Sequence, residues 1–185
     1  MTEKPDALLW IDTETTSIDP KRGDLLEIGV ICTNMDATEQ LACHHAVIHH
    51  ETLTIDQSNL KALEYHLANG LLAQVFDESN PDHNMAAIDL CEFINTLAGQ
   101  YTLHPAGTNI QFDLDWIREH LEIAGIKGLS HRRQDITSLR LALQTIGLDQ
   151  YDPEEYATNH RTGRCLQRDI KEYQHDLKTL RKALK

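Results

Sequence analysis

Basic residues, aromatic rings, paired cysteines and long apolar runs are all scarce in this 185-residue chain, and each shortage excludes something. Seventeen Lys and Arg against 29 Asp and Glu leave a formal charge of −12. A protein that coats long duplex nucleic acid must neutralise many phosphates, and a polybasic membrane-surface protein needs the same excess of cations, so both readings fail. Aromatics make up 5% of the residues, too few for a platform on which many bases stack. No apolar run approaches the ~20 residues of a spanning helix. The opening Met1 to Asp6 lacks the charged-then-apolar layout of a secretory signal. The four cysteines, Cys32, Cys43, Cys91 and Cys165, include no Cys-x-x-Cys pair, which argues against zinc-ribbon and redox motifs. Four reduced thiols in a cytoplasmic protein are the expectation, each buried as a packing residue.

The 41% hydrophobic content suits a globular fold, and the length suits one domain spanning residues 1–185. Ala7 to Ile11 is a short apolar run that fits a buried strand. Ser17 to Asp24 carries turn chemistry in Pro20 and Gly23. Leu25 to Thr33 and Gln40 to Ile48 read as two further strands, giving an antiparallel meander. Apolar residues near the 3.6 period predict helices over Leu60 to Phe76 (Leu60, Leu63, Leu67, Leu71, Val75) and Met85 to Ala98. A short strand is expected over Thr102 to Thr108. Helices follow over Phe112 to Ala124, capped by Gly125, over Ile136 to Ile146, ended by Gly147, and from about Cys165 onward. Strands first and then mostly helices point to an α/β fold, a mixed sheet with helices packed on it.

Three stretches carry chemistry. In Trp10-Ile11-Asp12-Thr13-Glu14-Thr15-Thr16, Asp12 and Glu14 stand at i and i+2 directly after the first strand. In extended chain they share a face and can converge on one hard cation; the competing account is a solvated loop. In Gly107-Thr108-Asn109-Ile110-Gln111-Phe112-Asp113, Asp113 opens a helix and can face the sheet, with Asp115 as competitor. The positive end of the helix dipole would favour either without any metal. In Asn159-His160-Arg161-Thr162-Gly163-Arg164-Cys165-Leu166-Gln167-Arg168-Asp169, a His before a helix and an Asp within it supply a candidate base and a further ligand. A solvated His and an ion-paired Asp are the alternative.

Together these stretches resemble the DEDDh family of 3′→5′ exonucleases, which are DnaQ-like and have a ribonuclease H-like fold. Asp12 to Thr16 is similar to its first motif, Asn109 to Asp113 to its second, and His160-Arg161 to the opening of its third. The resemblance leans toward the oligoribonuclease branch through His66-Leu67-Ala68-Asn69-Gly70-Leu71 and Asp135-Ile136-Thr137-Ser138-Leu139. It implies that Asp12, Glu14, Asp113 and Asp169 hold two Mg²⁺ or Mn²⁺ ions and that His160 is the general base. It also implies contacts to substrate from Thr15, Ile18, His66, Asn109 and Arg132. Ile18 stands where that branch has an apolar wedge between terminal bases. His131 replaces the branch's Tyr beside Arg132, a departure that bears on any strict dinucleotide preference.

A second departure concerns the third motif. The family places Asp five residues after His, where this chain has Cys165, and Asp169 comes four later. Either Cys165 keeps the usual helical position and Asp169 sits one turn on, or a longer loop over Thr162 to Arg164 brings Asp169 into the ligand position. A lost fourth ligand is the third possibility.

The resemblance implies hydrolysis of short single-stranded oligonucleotides, oligoribonucleotides foremost, to 5′-mononucleotides, by a homodimer. A DNA-directed proofreading or repair exonuclease, and a catalytically silent nucleic-acid-binding domain, are the alternatives. Arg132, Arg133, Arg161, Arg164 and Arg168 are expected to guide a 3′ end into an otherwise acidic molecule.

Overall fold

The computed structural model describes residues 4–56, 60–121, 126, 128–148, 151–152 and 158–184. Five strands form one mixed sheet in the order β3-β2-β1-β4-β5. They are β1 (Asp6–Thr15), β2 (Leu25–Thr33), β3 (Gln40–Val47), β4 (Thr102–Gly107) and β5 (Gln134–Asp135). β1 pairs antiparallel with β2, and β2 with β3, which is the expected meander. β4 and β5 add parallel on the other side. The six helices described are α1 (Leu60–Ala68), α2 (Leu71–Gln74), α3 (His83–Ala98), α4 (Ile110–His120), α5 (Ile136–Thr145) and α6 (Thr162–Ala183). This is the ribonuclease H-like arrangement: meander and parallel strands flanked by helices. None of the helices described is long and apolar enough to cross a membrane.

Strand periodicity sorts β1 into two working faces. Ala7, Leu9 and Ile11 pack with Ile28, Val30 and Cys32 beneath Leu90 and Ile94 of α3 and Trp116 and Ile117 of α4. Leu8 and Trp10 face the other way, into a second cluster with Ile136 of α5 and Leu166 and Tyr173 of α6. Tyr173 meets Trp10 edge-on at 5.5 Å, and the indole N–H donates to Thr33 Oγ1 at 2.9 Å. By alternation, Asp12 and Glu14 continue the face that carries α6, whereas Thr13 continues the face that carries α4.

Gly29 makes the approach of α6 possible. It pairs with Asp12 across β1 and β2, and a Cβ there would lie 2.7 Å from Thr162 Cβ and 2.9 Å from Leu166 Cδ1. The first turn of α6 therefore rests directly on the β2 backbone.

Several expectations are corrected. The first strand does not stop at Ile11 but runs on to Thr15, so both acids lie within it. Pairing with β2 continues through Glu14↔Glu27, and this supplies the backbone partners that let polar residues stay in the ladder. The helix expected over Leu60 to Phe76 breaks at Gly70, whose φ of 81° is left-handed. The apolar stripe there is misleading: Leu60 and Leu67 are exposed, and His66 is the buried residue of α1. β5, two residues long, carried no hydrophobic signal. The Gly125 cap and the last turn expected before it lie outside the described residues. Of the four thiols, Cys32 and Cys165 are buried, Cys91 is half-buried, and Cys43 sits exposed on β3, an edge strand of the sheet.

Candidate active site

The acids gather where β1 ends. Thr13 donates both its backbone N–H, at 2.9 Å, and its hydroxyl, at 2.8 Å, to Asp113 Oδ1. Asp113 sits in the first turn of α4 and is thereby drawn onto the strand that carries Asp12 and Glu14. The competitor Asp115 instead lies at the surface, paired with Arg118 at 2.7 Å and bonded to Gln111. On the other face, α6 brings Cys165 Sγ to 3.8 Å from Glu14 Oε1. One possible ligand atom from each of Asp12, Glu14 and Cys165 lies within 4.8 Å of the others.

Burial and mutual repulsion raise the pKa values of all three carboxyls. Burial, followed by the charges of Asp113, Glu14 and Asp169, holds the Asp12 carboxyl well above the ordinary range. The same burial, with Glu27 and Asp113 nearby, pushes Glu14 up to about 8. Asp113 is raised to about 7 by burial and Asp169, against the opposing pull of its bonds from Thr13. The buried Oδ2 of Asp12 has no hydrogen-bond partner among the described residues. Buried carboxylates crowded without counter-charge are costly unless protonated or bound to a cation.

Asp169 differs from these three. Its Oδ2 accepts the Thr108 N–H at 2.8 Å, and its Oδ1 accepts the Thr108 hydroxyl at 3.0 Å. Oδ1 also accepts Arg168 Nε at 2.9 Å and Nη2 at 2.7 Å. It ties α6 to the end of β4 and already has a guanidinium as counter-ion. The helix begins at Thr162, with Arg161 as its N-cap, so Thr162 to Arg164 are helical and form no inserted loop. Cys165 thus occupies the helical position beside Glu14, and Asp169 lies one turn further along.

His160 adopts a left-handed backbone conformation, φ 53°, which is uncommon outside glycine. It is held there by Asn69, whose Nδ2 donates to the carbonyls of Asn159 at 2.8 Å and His160 at 2.6 Å. The imidazole stacks on Tyr65, centroids 4.1 Å apart. Burial, then Arg168 and Lys61, lower its pKa below the ordinary histidine value. His160, Tyr65, Lys61, Phe112, His66 and Glu14 line a cavity of about 260 Å³ that opens beside the acids.

The remaining expected contacts separate. His66 is buried, with Nε2 3.1 Å from the Thr15 carbonyl and 3.8 Å from Glu14 Oε2. Burial lowers its pKa, so it is neutral at pH 7 and braces the end of β1. Thr15 donates its hydroxyl to the Ser17 carbonyl at 2.7 Å. Ile18, 73% exposed, projects from the loop after β1. Asn109 is exposed at φ 56° ahead of α4, and Arg132 is exposed just before β5. The guiding role expected for five arginines is corrected for two of them. Arg161 clamps the buried Glu27 through Nε and Nη2, the latter at 2.7 Å, and Arg168 is spent on Asp169. Tyr65, Asn69 and Thr108 were not anticipated. Asn69 lies inside the His66–Leu71 motif and Thr108 inside the Gly107–Asp113 stretch, whereas the sequence offers no signal for Tyr65.

No family model matches the chain. An oligoribonuclease from Arabidopsis thaliana is 25% identical over 178 residues, covering 95% of this chain and 79% of the relative. One from Aeromonas hydrophila is 26% identical over 141 residues, 76% of each. Among solved structures, E. coli Exonuclease I in complex with a 5cy-dT13 oligonucleotide superposes with a TM-score of 0.65 at 15% identity over 92% of this chain. A zinc-bound form of an E. coli Exonuclease I–single-stranded DNA complex gives a TM-score of 0.64, also at 15% identity, over 90% of this chain. The chain spans about two fifths of those Exonuclease I chains, 40% and 39%.

Proposed function

We propose that this chain, which is similar to oligoribonucleases and shares the fold of Exonuclease I, is a DnaQ-like 3′→5′ exonuclease that hydrolyses short single-stranded oligoribonucleotides from the 3′ end to 5′-mononucleotides. One observation carries the reading. The buried Glu14 and Asp113 and the half-buried Asp12, all with raised pKa values, meet at the end of one strand beside a neutral histidine. Carboxylates perturbed by burial and by specific charge neighbours, beside a cavity, have the character of a functional site. The oligoribonuclease name of the curated relatives supports the choice of RNA. The acidic surface supports a short, single-stranded substrate, since few phosphates then approach it.

Asp12, Glu14 and Asp113 present oxygen donors that suit Mg²⁺ or Mn²⁺. Two such ions, when bound, neutralise the scissile phosphate and the departing 3′ oxygen and lower the pKa of the attacking water. His160, neutral at pH 7 and stacked on Tyr65, takes the proton of that water. Asp169 completes the acidic set only if Arg168 moves off it. The cavity beside Tyr65, His66 and Phe112 receives the terminal nucleotide. Thr15, which lines the same cavity, and Ile18, in the loop after β1, are assigned to the terminal nucleotide, and Asn109 and Arg132 to the following phosphates. A cytoplasmic homodimer completes the proposal.

The test is metal-dependent release of mononucleotides from a 3′-labelled oligomer, compared for matched RNA and DNA. Release that needs Mg²⁺ or Mn²⁺, favours RNA and disappears in Asp12→Ala and His160→Ala supports the proposal. Full activity in both variants refutes the site, and a preference for DNA refutes the substrate.

A further inference from the structure

We propose that Cys165 is a cation ligand, so that the position between Asp12, Glu14 and Cys165 selects a borderline-soft divalent cation of the zinc class over Mg²⁺. The inference rests on the reading of this edge as a cation site and names which ion one corner of it prefers.

The geometry is that of a small mixed-donor cage. Sγ stands 3.8 Å from Glu14 Oε1, and one donor atom from each of the three side chains lies within 4.8 Å of the others. A tetrahedral zinc site with Zn–S near 2.3 Å and Zn–O near 2.1 Å needs neighbouring donors roughly 3.5 Å apart. The cage is thus within a small contraction of that size. A second observation points independently to a ligand: Glu14 is 7% exposed, and among the described residues its carboxylate meets only the Cys165 thiol and the His66 ring, each at a long 3.8 Å. The Oδ2 of Asp12, also buried, has no hydrogen-bond partner among the described residues.

Asp169 does not compete for this position. It is one helical turn away, and its oxygens are engaged by Thr108 and Arg168. α6 therefore turns toward β1 a thiol where an oxygen donor would suit Mg²⁺. Thiolate sulfur favours zinc-class ions, whereas Mg²⁺ takes oxygen almost exclusively. The step balances simply: the cation forms a bond to Sγ, and the thiol proton leaves to solvent.

Cd²⁺, a spectroscopic substitute for zinc, tests the assignment without reference to activity. Added to the metal-free full chain, it is expected to give the ultraviolet charge-transfer band of a thiolate–cadmium bond. That band should vanish in Cys165→Ser, in which Cys32, Cys43 and Cys91 remain as internal controls. In the same variant Zn²⁺ affinity by calorimetry should fall by about tenfold or more, while Cys165→Asp should shift preference toward Mg²⁺. Circular dichroism confirms that each variant is folded, and Asp12→Asn serves as a second probe that leaves the cysteine in place yet should weaken the band. A band that persists unchanged in Cys165→Ser overturns the proposal, as does its absence from the wild type. Mn²⁺ binding followed by electron paramagnetic resonance separates the two levels. If Mn²⁺ binds and is lost in Asp12→Asn while no Cys165-dependent band exists, the cysteine assignment fails and the cation site stands. If neither ion binds, both fail.

Discussion

Glu14 and Glu27 face each other across β1 and β2, yet one is pushed up to about 8 and the other held down to about 2. Burial works against both charges. Glu27 overcomes it through hydrogen bonds from His45 at 2.6 Å, from Arg161 and from the Thr162 N–H at 3.1 Å. Glu14 has no such set of donors, and Glu27 beside it adds repulsion. One acid anchors the start of α6, and its neighbour is left in need of a cation.

Stability of the metal-free protein should therefore fall as pH rises. A carboxyl whose folded pKa is raised contributes stability that is fully present below its unfolded value and lost as pH climbs through the folded value. For Glu14 that window runs from 4.5 to about 8, and for Asp113 from 3.8 to about 7. Thermal melts in chelator across this range should show a declining Tm, and saturating divalent cation should flatten the decline. Glu27 has the opposite sign, its contribution being present above 4.5 and lost as pH falls through about 2. A chelated Tm that rises from pH 5 to pH 8 would contradict the assignment.

Arg161→Met should destabilise the protein by about 3 kcal/mol, because it leaves Glu27 buried without its guanidinium. Glu27 is 1% exposed and the arginine side chain 20%, so solvent screening reduces this little. Urea unfolding at neutral pH measures the change, and a loss well under 1 kcal/mol would show that the clamp is dispensable. Activity should fall with stability, since the same contact holds the residue after His160.

Gly29→Ala is expected to cost about 1–3 kcal/mol, the usual range for overpacking. The new methyl collides with Thr162 and Leu166 and must lift the first turn of α6 off β2. Cys165 sits in that turn, so cation affinity should weaken along with stability. A variant of unchanged stability and affinity would mean that α6 yields without disturbing the site.

His160→Ala should reduce turnover by about 10²–10⁴-fold with a smaller effect on KM, as removal of a general base does. In the wild type the acid limb of the rate profile should lie below the ordinary histidine value of 6.5. The sign follows because the base works when neutral, and a lowered pKa keeps it neutral to lower pH. Tyr65→Ala removes the stacking partner and some of the burial, and should move that limb back upward.

The meander, the helices over 83–98 and 136–145, and the carboxylate motif were legible in the sequence because each rests on local periodicity or short spacing. β2 was placed residue for residue, at Leu25–Thr33. What escaped depended on distant partners. Asp12 and Glu14 stay in a strand because β2 supplies hydrogen bonds 15 or so residues downstream. Buried His66 finds its partner in Thr15, 51 residues away, whose carbonyl accepts from Nε2. Tyr65 lies off the apolar stripe of α1, and its contact to His160 spans about half of the chain. The ambiguity over Cys165 and Asp169 could not be resolved by counting along the chain. It turned on whether Thr162 to Arg164 were helical and on what Thr108 and Arg168 were doing.

On the proposed function, the edge formed by Asp12, Glu14 and Asp113, with His160 beside it, removes nucleotides from a short RNA 3′ end. The most direct measurement follows a 3′-labelled single-stranded oligoribonucleotide with the full chain, with and without added Mn²⁺, for the wild type and Asp12→Ala. Labelled mononucleotide is expected from the first time point, only with metal and only in the wild type. Release that is unaffected by chelator, or that survives in Asp12→Ala, would contradict it.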